Sequence, residues 1–276
     1  MDAMTRALDF VADNLQRPIQ VADMAGKAAY SLYYFCRMFH RIVHHAPYDY
    51  LIRRRLSAAA TALTASRRKI IDIAYDLQFQ NPETFSRAFR RMFALQPSEW
   101  RKNPLNPVFY LMPSLTREHL IHRNSPAGNR PEVLHRETWE ISGWTVPAES
   151  SITDIEKIWH ATHSESHTDP VRCVVLWDMP GHPEGMGCLA GWPDFRNDQK
   201  TSGWIRKQIP GGTYAVFPYI GSFAGRHLAR DYALHTWLPK SGCRLARPMI
   251  IERYHTRPVS GPGKDIRMNL EIPLAG

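Results

Sequence analysis

Between Lys69 and Arg101 the chain reads KIIDIAYDLQFQNPETFSRAFRRMFALQPSEWR, two amphipathic helical segments separated by a short turn, the second strongly basic. Ile70, Ile73, Ala74 and Leu77 fall at i, i+3, i+4 and i+7 and give the first segment one apolar stripe. Asn81 is suited to an N-cap, and Pro82 takes the first helical position, where its missing N–H costs nothing. Phe85, Ala88, Phe89 and Met92 form the inward stripe of the second helix and leave Glu83, Thr84, Ser86, Arg87, Arg90 and Arg91 outward. Arginine beside short hydroxyl side chains matches phosphates and base edges. Such a pair is either a helix-turn-helix or a helical hairpin with a solvated basic face.

The same plan occurs earlier in the chain. Met4, Leu8, Val11 and Leu15 lie at helical spacing in a segment ended by Pro18, and Val21, Met24 and Ala25 make a second short stripe. Lys27 to Tyr30 then turn into Ser31, an N-cap residue for SLYYFCRMFHRIV, where Phe35, Met38, Phe39 and Ile42 face inward. Leu32, Tyr33, Cys36, Arg37, His40 and Arg41 are left outward. Ser31 and Asn81 stand 50 positions apart, and APYDYLIRRRLSAAATAL between them has the alanine content of one continuous helix of roughly 25 Å. Two units on a rigid spacer argue against the hairpin. Arg53, Arg54 and Arg55 point in different directions on that spacer, so at most one or two reach the same phosphate backbone, and none is assigned to base reading. The Arg67-Arg68-Lys69 cluster either shares a phosphate with a helix N-terminus or is a solvated loop.

Charge distribution supports a polyanionic partner for this half only. The formal net charge is +9, of which residues 1–103 carry +7 from 16 Lys and Arg against 9 Asp and Glu. No apolar run has the length of a membrane span and MDAMTRALDF lacks the basic start of a signal peptide, so the expected location is cytoplasmic, with no membrane partner. Cys36, Cys173, Cys188 and Cys243 are too scattered for a metal or redox pair and read as reduced thiols.

Residues 5–102 resemble the AraC/XylS family of bacterial transcription regulators, within it the SoxS/MarA/Rob subgroup. VADMAGKAAYSLYYFCRMF is similar to the family's first helix-turn-helix, PYDYLIRRRL to its linker helix, and IIDIAYDLQFQNPETFSRAFRRMFALQPSEWR to its second. The resemblance implies that Tyr33, Cys36 and Arg37 read bases from the first recognition helix and Glu83, Thr84, Ser86 and Arg87 from the second. Ser31 and Asn81 at the caps and Arg41 and Arg90 on the basic faces complete the expected contact set. It also implies double-stranded operator DNA, RNA polymerase as a partner, and an activator; with both recognition helices in one chain, a single chain is expected to span consecutive major grooves. The chain departs from the family at Leu32, Cys36 and Pro82, so no operator sequence carries over, and His44 replaces the usual glycine after the first recognition helix, where histidine tolerates a left-handed backbone.

Residues 104–135, with prolines at 104, 107, 113, 126 and 131, read as a linker partly packed against its neighbours. Beyond it the chain turns strand-rich, with segments near 137–146, 171–178, 187–193, 204–209, 212–219, 248–255 and 266–272 and helices near 152–164 and 224–238. The order is a β-α-β-β unit occurring twice, with a crevice expected between the halves. The expected fold is therefore multidomain: an all-α double helix-turn-helix domain over 1–103, the linker 104–135 and an α+β domain over 136–276. This second domain resembles the GyrI-like small-molecule-binding fold, through IPGGTYAVFPYIGSFAGRHLARDYALHTWLPKSG, PMIIERYH and LEIPL.

Alternation puts Ile250, Glu252 and Tyr254 on one strand face, an acid between an apolar and an aromatic neighbour; an exposed strand glutamate is the alternative. In the family resemblance the position of Glu252 anchors cationic or amphipathic effectors in an aromatic pocket. Tyr254 joins it, with Trp177 the leading aromatic by analogy in the repeat, then Tyr219 and Trp144. No cofactor or metal is expected: His160, His163 and His167 have a zinc-like spacing, but histidines in a last helical turn need no ion. Gly221 to Gly225 lacks the lysine of a phosphate-binding loop and reads as a turn. The leading reading is a DNA-binding regulator, not an enzyme, controlled by a small molecule. Two alternatives stand beside it: a second domain that docks a protein, or a GyrI-like hydrolase using Glu252 with Tyr254.

Overall fold

The computed structural model of the chain describes residues 1–125, 130–147, 154–155, 171–179, 185–193, 204–255 and 265–275, which fall into two compact units dividing between Asn124 and Ser125. The first unit is helical throughout: α1 (Asp2–Asp13), α2 (Val21–Lys27), α3 (Leu32–Val43), α4 (Pro47–Ala65), α5 (Ile70–Asp76), α6 (Pro82–Phe93), α7 (Pro97–Lys102), α8 (Pro107–Tyr110) and α9 (Arg117–Arg123).

The α2–α3 pair recurs as α5–α6 in local detail. Each turn hinges on a left-handed non-glycine residue, Ala29 (φ 58) and Gln78 (φ 65), which lets the Tyr30 N–H reach the Ala25 carbonyl at 3.1 Å and the Phe79 N–H reach Ala74 at 3.0 Å. Both recognition helices run 12 residues, end on a left-handed residue, His44 (φ 60) or Ala94 (φ 59), and lead into a helix that starts with proline. Phe35, Phe39 and Val43 are buried in one core and Phe85, Phe89 and Phe93, each 50 positions on, in the other. The ring pairs repeat as well: Phe39 with Tyr50 at 5.8 Å and Phe89 with Trp100 at 5.9 Å.

Helix α4 joins the two cores. Its 19 residues, about 28 Å long, bury Tyr50 and Leu51 in the first and Leu56, Ala59, Ala60 and Leu63 in the second. The small alanines admit α7 closely enough for the Trp100 indole to donate to the Ala60 carbonyl at 3.1 Å. The three arginines expected to diverge do so. Arg53 pairs with Asp49 at 2.8 Å, Arg54 donates to the Met112 carbonyl, and buried Arg55 donates to the carbonyls of Leu15 and Arg17 just past the end of α1. A cation at a helix C-terminus satisfies carbonyls that have no partner in the helix.

As far as Asn124 the stretch 104–135 packs into the first unit. Phe109, Met112, Leu115 and Leu120 are buried, and Met112, Leu115 and Leu120 belong to the first core. The prolines mislead because Pro107 opens a short helix, capped by the Asn106 side chain accepting from the Val108 N–H at 2.9 Å. The last residues of the stretch enter a strand of the second unit, Glu132–Arg136.

Among the described residues that unit contains one nine-stranded sheet, in which every pairing among them is antiparallel: β1 (Glu132–Arg136), β2 (Trp139–Thr145), β3 (Arg172–Asp178), β4 (Met186–Pro193), β5 (Trp204–Ile209), β6 (Gly212–Gly221), β7 (Arg244–Leu245), β8 (Met249–Tyr254) and β9 (Ile266–Ala275). The spatial order is β1-β6-β9-β8-β3-β4-β2-β5, with β7 paired to β9. The run β6-β9-β8 thus mirrors β2-β4-β3 about the central β8–β3 pair, as a duplicated β-α-β-β unit requires. Between β6 and β8 the chain passes through a 3-10 turn (Ala224–Arg226), α10 (His227–Tyr232), a π-helical turn (Ala233–Trp237) and α11 (Leu238–Ser241). Of the helix expected near 152–164 only residues 154–155 are described, and His160, His163 and His167 lie outside the described residues.

Cross-strand register defines the two faces of the sheet. Val174, Leu176, Cys188, Ala190, Trp144, Ile250, Glu252, Tyr254, Leu270 and Tyr219 share one. Ile141, Cys173, Val175, Leu189, Ile209, Tyr214, Val216, Met249 and Ile251 pack as a buried cluster on the other. The helical segment covers part of the first face, where Phe217 meets Tyr232 at 6.4 Å and Trp237 at 5.3 Å edge to face.

Candidate functional sites

In the first unit the outward residues of the two recognition helices remain available. Ser31, Tyr33, Arg37 and Arg41 on or before α3, and Asn81, Glu83, Thr84, Arg87 and Arg90 on or before α6, are exposed or half-buried, as are Cys36 and Ser86. Among the described residues Tyr33 is the most open of the large hydrophobic side chains, at 75% exposure, and Arg37 one turn on lies over its ring at 5.8 Å. Among the described residues Arg37, Arg41, Arg87 and Arg90 enter no ion pair, in contrast to Arg53 and to Arg68, which pairs with Asp76 at 2.6 Å. An open groove of about 680 Å³ runs beside α3, lined by Tyr34, Cys36, Arg37, Met38, His40 and Arg41.

The two helix starts differ. The Asn81 side chain accepts from the Thr84 N–H at 2.8 Å and so satisfies one free N–H of α6. Ser31 occupies the N-cap of α3 without a side-chain cap bond. Its hydroxyl is therefore free of the helix it precedes.

In the second unit Glu252 is not an exposed strand acid; only 4% of it is accessible. Its carboxylate accepts a 2.6 Å hydrogen bond from the Tyr254 hydroxyl and faces the Arg226 guanidinium at 3.5 Å. Phe223 stacks on Tyr254 at 6.2 Å and carries the Arg226 guanidinium over its ring at 4.0 Å. Burial, with the Glu252 charge added, holds the Tyr254 phenol well above its ordinary range, so it remains a donor. Burial and then the same carboxylate push Cys188 up to about 12.

Tyr219 belongs to this neighbourhood. Its hydroxyl donates to the Ser222 carbonyl at 2.8 Å and is raised to about 12, first by burial. The loop can fold over the ring because Gly221 and Gly225 have no side chains: a Cβ at either would stand 2.7 Å from the Tyr219 oxygen. Trp144 lies on the same face in the row Trp204-Trp144-Ala190-Val174-Glu252-Leu270-Phe217, three strands from the acid. It packs edge to face against Trp204 at 4.5 Å.

Trp177 is a correction. It pairs with Met249 and Gly187 on the opposite face from Glu252, and its ring fills the space a Gly187 side chain would need, 2.2 Å from an added Cβ. The Lys207 ammonium covers it at 4.1 Å. Side chains alternate along a strand, so the repeat analogy that placed Trp177 with Glu252 selected the wrong face. Arg226 and Phe223 were not anticipated; their only sequence signal is an aromatic followed three positions later by a cation at a helix entrance.

Comparison with known proteins agrees with both halves. The helix-turn-helix domain family matches residues 24–103, and the GyrI-like small molecule binding domain matches residues 147–275. The right origin-binding protein of Escherichia coli K12 is 37% identical, over 97% of this chain and 96% of its own. The transcriptional regulator Rob of Salmonella typhimurium is 35% identical over the same shares of the two chains. The regulatory protein SoxS of Escherichia coli K12 is 39% identical over 33% of this chain and 86% of its own.

Proposed function

The chain belongs to the AraC/XylS family of transcription regulators in its Rob-like two-domain form, and on that premise we propose that it is an effector-responsive transcription activator that reads DNA with α3 and α6 together. The carrying observation is the 50-residue duplication, which sets two basic helices of equal length, each with an exposed face, on the ends of α4. Tyr33, Cys36 and Arg37 form one reading surface and Glu83, Thr84, Ser86 and Arg87 the other, with Ser31, Arg41, Asn81 and Arg90 at their margins. Arginine serves guanine edges bidentately, and the hydroxyl and carboxylate side chains serve phosphates and cytosine amino groups.

One chain supplies both helices, so it binds as a monomer to an asymmetric site of about two helical turns. RNA polymerase is the partner an activator at such a site recruits, and the work is done in the cytoplasm, where the DNA is. The second unit acts as the sensor: Glu252 anchors the head of a cationic amphipathic effector, with Tyr254, Tyr219 and Phe223 as its near aromatic surface and Trp144 at the far end. Regulation of transcription, rather than hydrolysis, is the function its named relatives share in kind.

Sequence selection from random duplex DNA, followed by sedimentation of the full chain on the selected site, tests the reading. One chain per asymmetric site is expected; a palindromic site carrying two chains would overturn it. A thermal-shift screen of the same protein against cationic and neutral amphiphiles tests the sensor, which predicts stabilisation by the cations alone.

A further inference from the structure

We propose that Arg226 is the resident cation of the Glu252 site and that a cationic effector binds by taking its place. The inference rests on the reading of Glu252 as the effector anchor. A cation-binding site of this kind needs a poorly solvated carboxylate and an aromatic face. The Arg226 guanidinium already occupies both, at 3.5 Å from Glu252 Oε2 and 4.0 Å from the Phe223 ring centre.

The contact is built to be given up. At 3.5 Å it is well outside the 2.7–2.9 Å of a strong charge-assisted bond. Glu271, the other buried acid among the described residues of the sheet, shows what a permanent pair looks like here: fully buried, it is gripped by Arg136 and Arg253, each at 3.0 Å. Arg226 keeps 21% of its side chain exposed and sits in a three-residue 3-10 turn beside Gly225, and its other bond, Nη1 to the Phe223 carbonyl at 3.1 Å, lies within the same turn. It can swing outward without breaking the sheet.

The ligand and Arg226 compete for the same two partners. A second positive charge next to Glu252 would lie within a few ångströms of the guanidinium, and a flat body on Phe223 needs the ring face that the guanidinium covers at 4.0 Å, so entry and departure are coupled. This defines the ligand class: a cation attached to a flat aromatic body, which replaces the charge at Glu252 and the planar group over Phe223 together. Departure of Arg226 also releases the turn that leads into α10, giving the effector a structural consequence at that helix.

The test is calorimetry of the full chain with (2-naphthylmethyl)trimethylammonium and its neutral neopentyl isostere, using the native protein, Arg226→Met, Glu252→Gln and the double variant. Apparent affinity is reduced by the fraction of time the site is occupied by its own arginine, so Arg226→Met should bind the cation about tenfold more tightly, with a clearly smaller gain for the neutral compound, which competes with the guanidinium for Phe223 but not for Glu252. In the Glu252→Gln background Arg226→Met should help the cation no more than the neutral compound. If Glu252→Gln weakens the cation selectively but Arg226→Met leaves it unchanged or weaker, the resident-cation proposal is overturned and the anchor reading stands. If Glu252→Gln has no charge-selective effect, or no protein binds the cation, both are overturned. Circular dichroism checks folding, and Arg226→Gln takes the place of Arg226→Met should the latter not fold.

Discussion

The Tyr254 hydroxyl donates a 2.6 Å hydrogen bond to the carboxylate of Glu252, two residues back on the same strand and on the same face of the sheet. Both side chains are nearly excluded from solvent, so the bond compensates a desolvated charge. Tyr254→Phe keeps the ring and its stacking on Phe223 but leaves the carboxylate short of its best donor. Unfolding of the second unit, followed by denaturant titration, should lose about 1–3 kcal/mol. A loss under about 0.5 kcal/mol would mean that Arg226 or water satisfies the acid as well as the phenol does.

Arg37 and Arg87 should separate base reading from phosphate holding. If each makes a bidentate guanine contact, replacement by alanine weakens specific binding by about 1–3 kcal/mol and binding to random duplex much less. Fluorescence anisotropy at one fixed salt concentration measures both. Equal losses on the two DNAs would reassign the arginine to the backbone.

The two caps make a paired test of local structure. Asn81→Ala removes the bond to the Thr84 N–H and should cost about 1 kcal/mol of stability. Ser31→Ala removes no cap bond and should cost less than half as much in the same thermal melts. Equal costs would show that the Ser31 hydroxyl caps α3 in solution.

Asp49 predicts an acid-sensitive contact at the start of α4. Burial alone would raise its carboxyl, but the bond to His45 and the charge and bond of Arg53 outweigh it and hold the group at about 2. A depressed carboxyl stabilises the fold above its unfolded value, near 3.8, and loses that contribution as pH falls through the folded value. Asp49→Asn should therefore melt lower than the native chain at about pH 6, by a modest amount because the carboxylate is partly exposed. The difference should shrink steadily between about pH 4 and pH 2. A gap that stays constant over that range would remove the ion pair as its cause.

Ala94 and His44 close the two recognition helices in the left-handed region, where a side chain strains the backbone. Ala94→Gly relieves that strain, and despite the freer unfolded chain it should raise stability by about 0.5–1 kcal/mol in the same melts. An unchanged or lower melting temperature would count against strain at this turn.

The helical half was legible because its signals are short in range. Helical spacing, the Asn81 cap and proline at a first turn are decided within a few residues, so the stripes Phe35-Phe39 and Phe85-Phe89 could be read directly, while the left-handed turn at His44 followed from the family resemblance. Prolines between 104 and 131 disguised the segment that contains them, since a proline marks a helix start as readily as a linker. Only the burial of Met112, Leu115 and Leu120 shows that this segment completes the first core.

In the sheet, the chain by itself determined that Ile250, Glu252 and Tyr254 share a side, because alternation along one strand is a property of the backbone. Which side that is relative to Trp177, and that Arg226 arrives from the entrance of a distant helix to meet Glu252, depends on register between strands and on how the β6–α10 connection crosses the face. Those are contacts between residues far apart in sequence, with no local pattern to announce them. Tertiary structure alone therefore decided that Glu252 is buried and already faced by a cation, while the sequence determined only that an acid stands there between two hydrophobic neighbours.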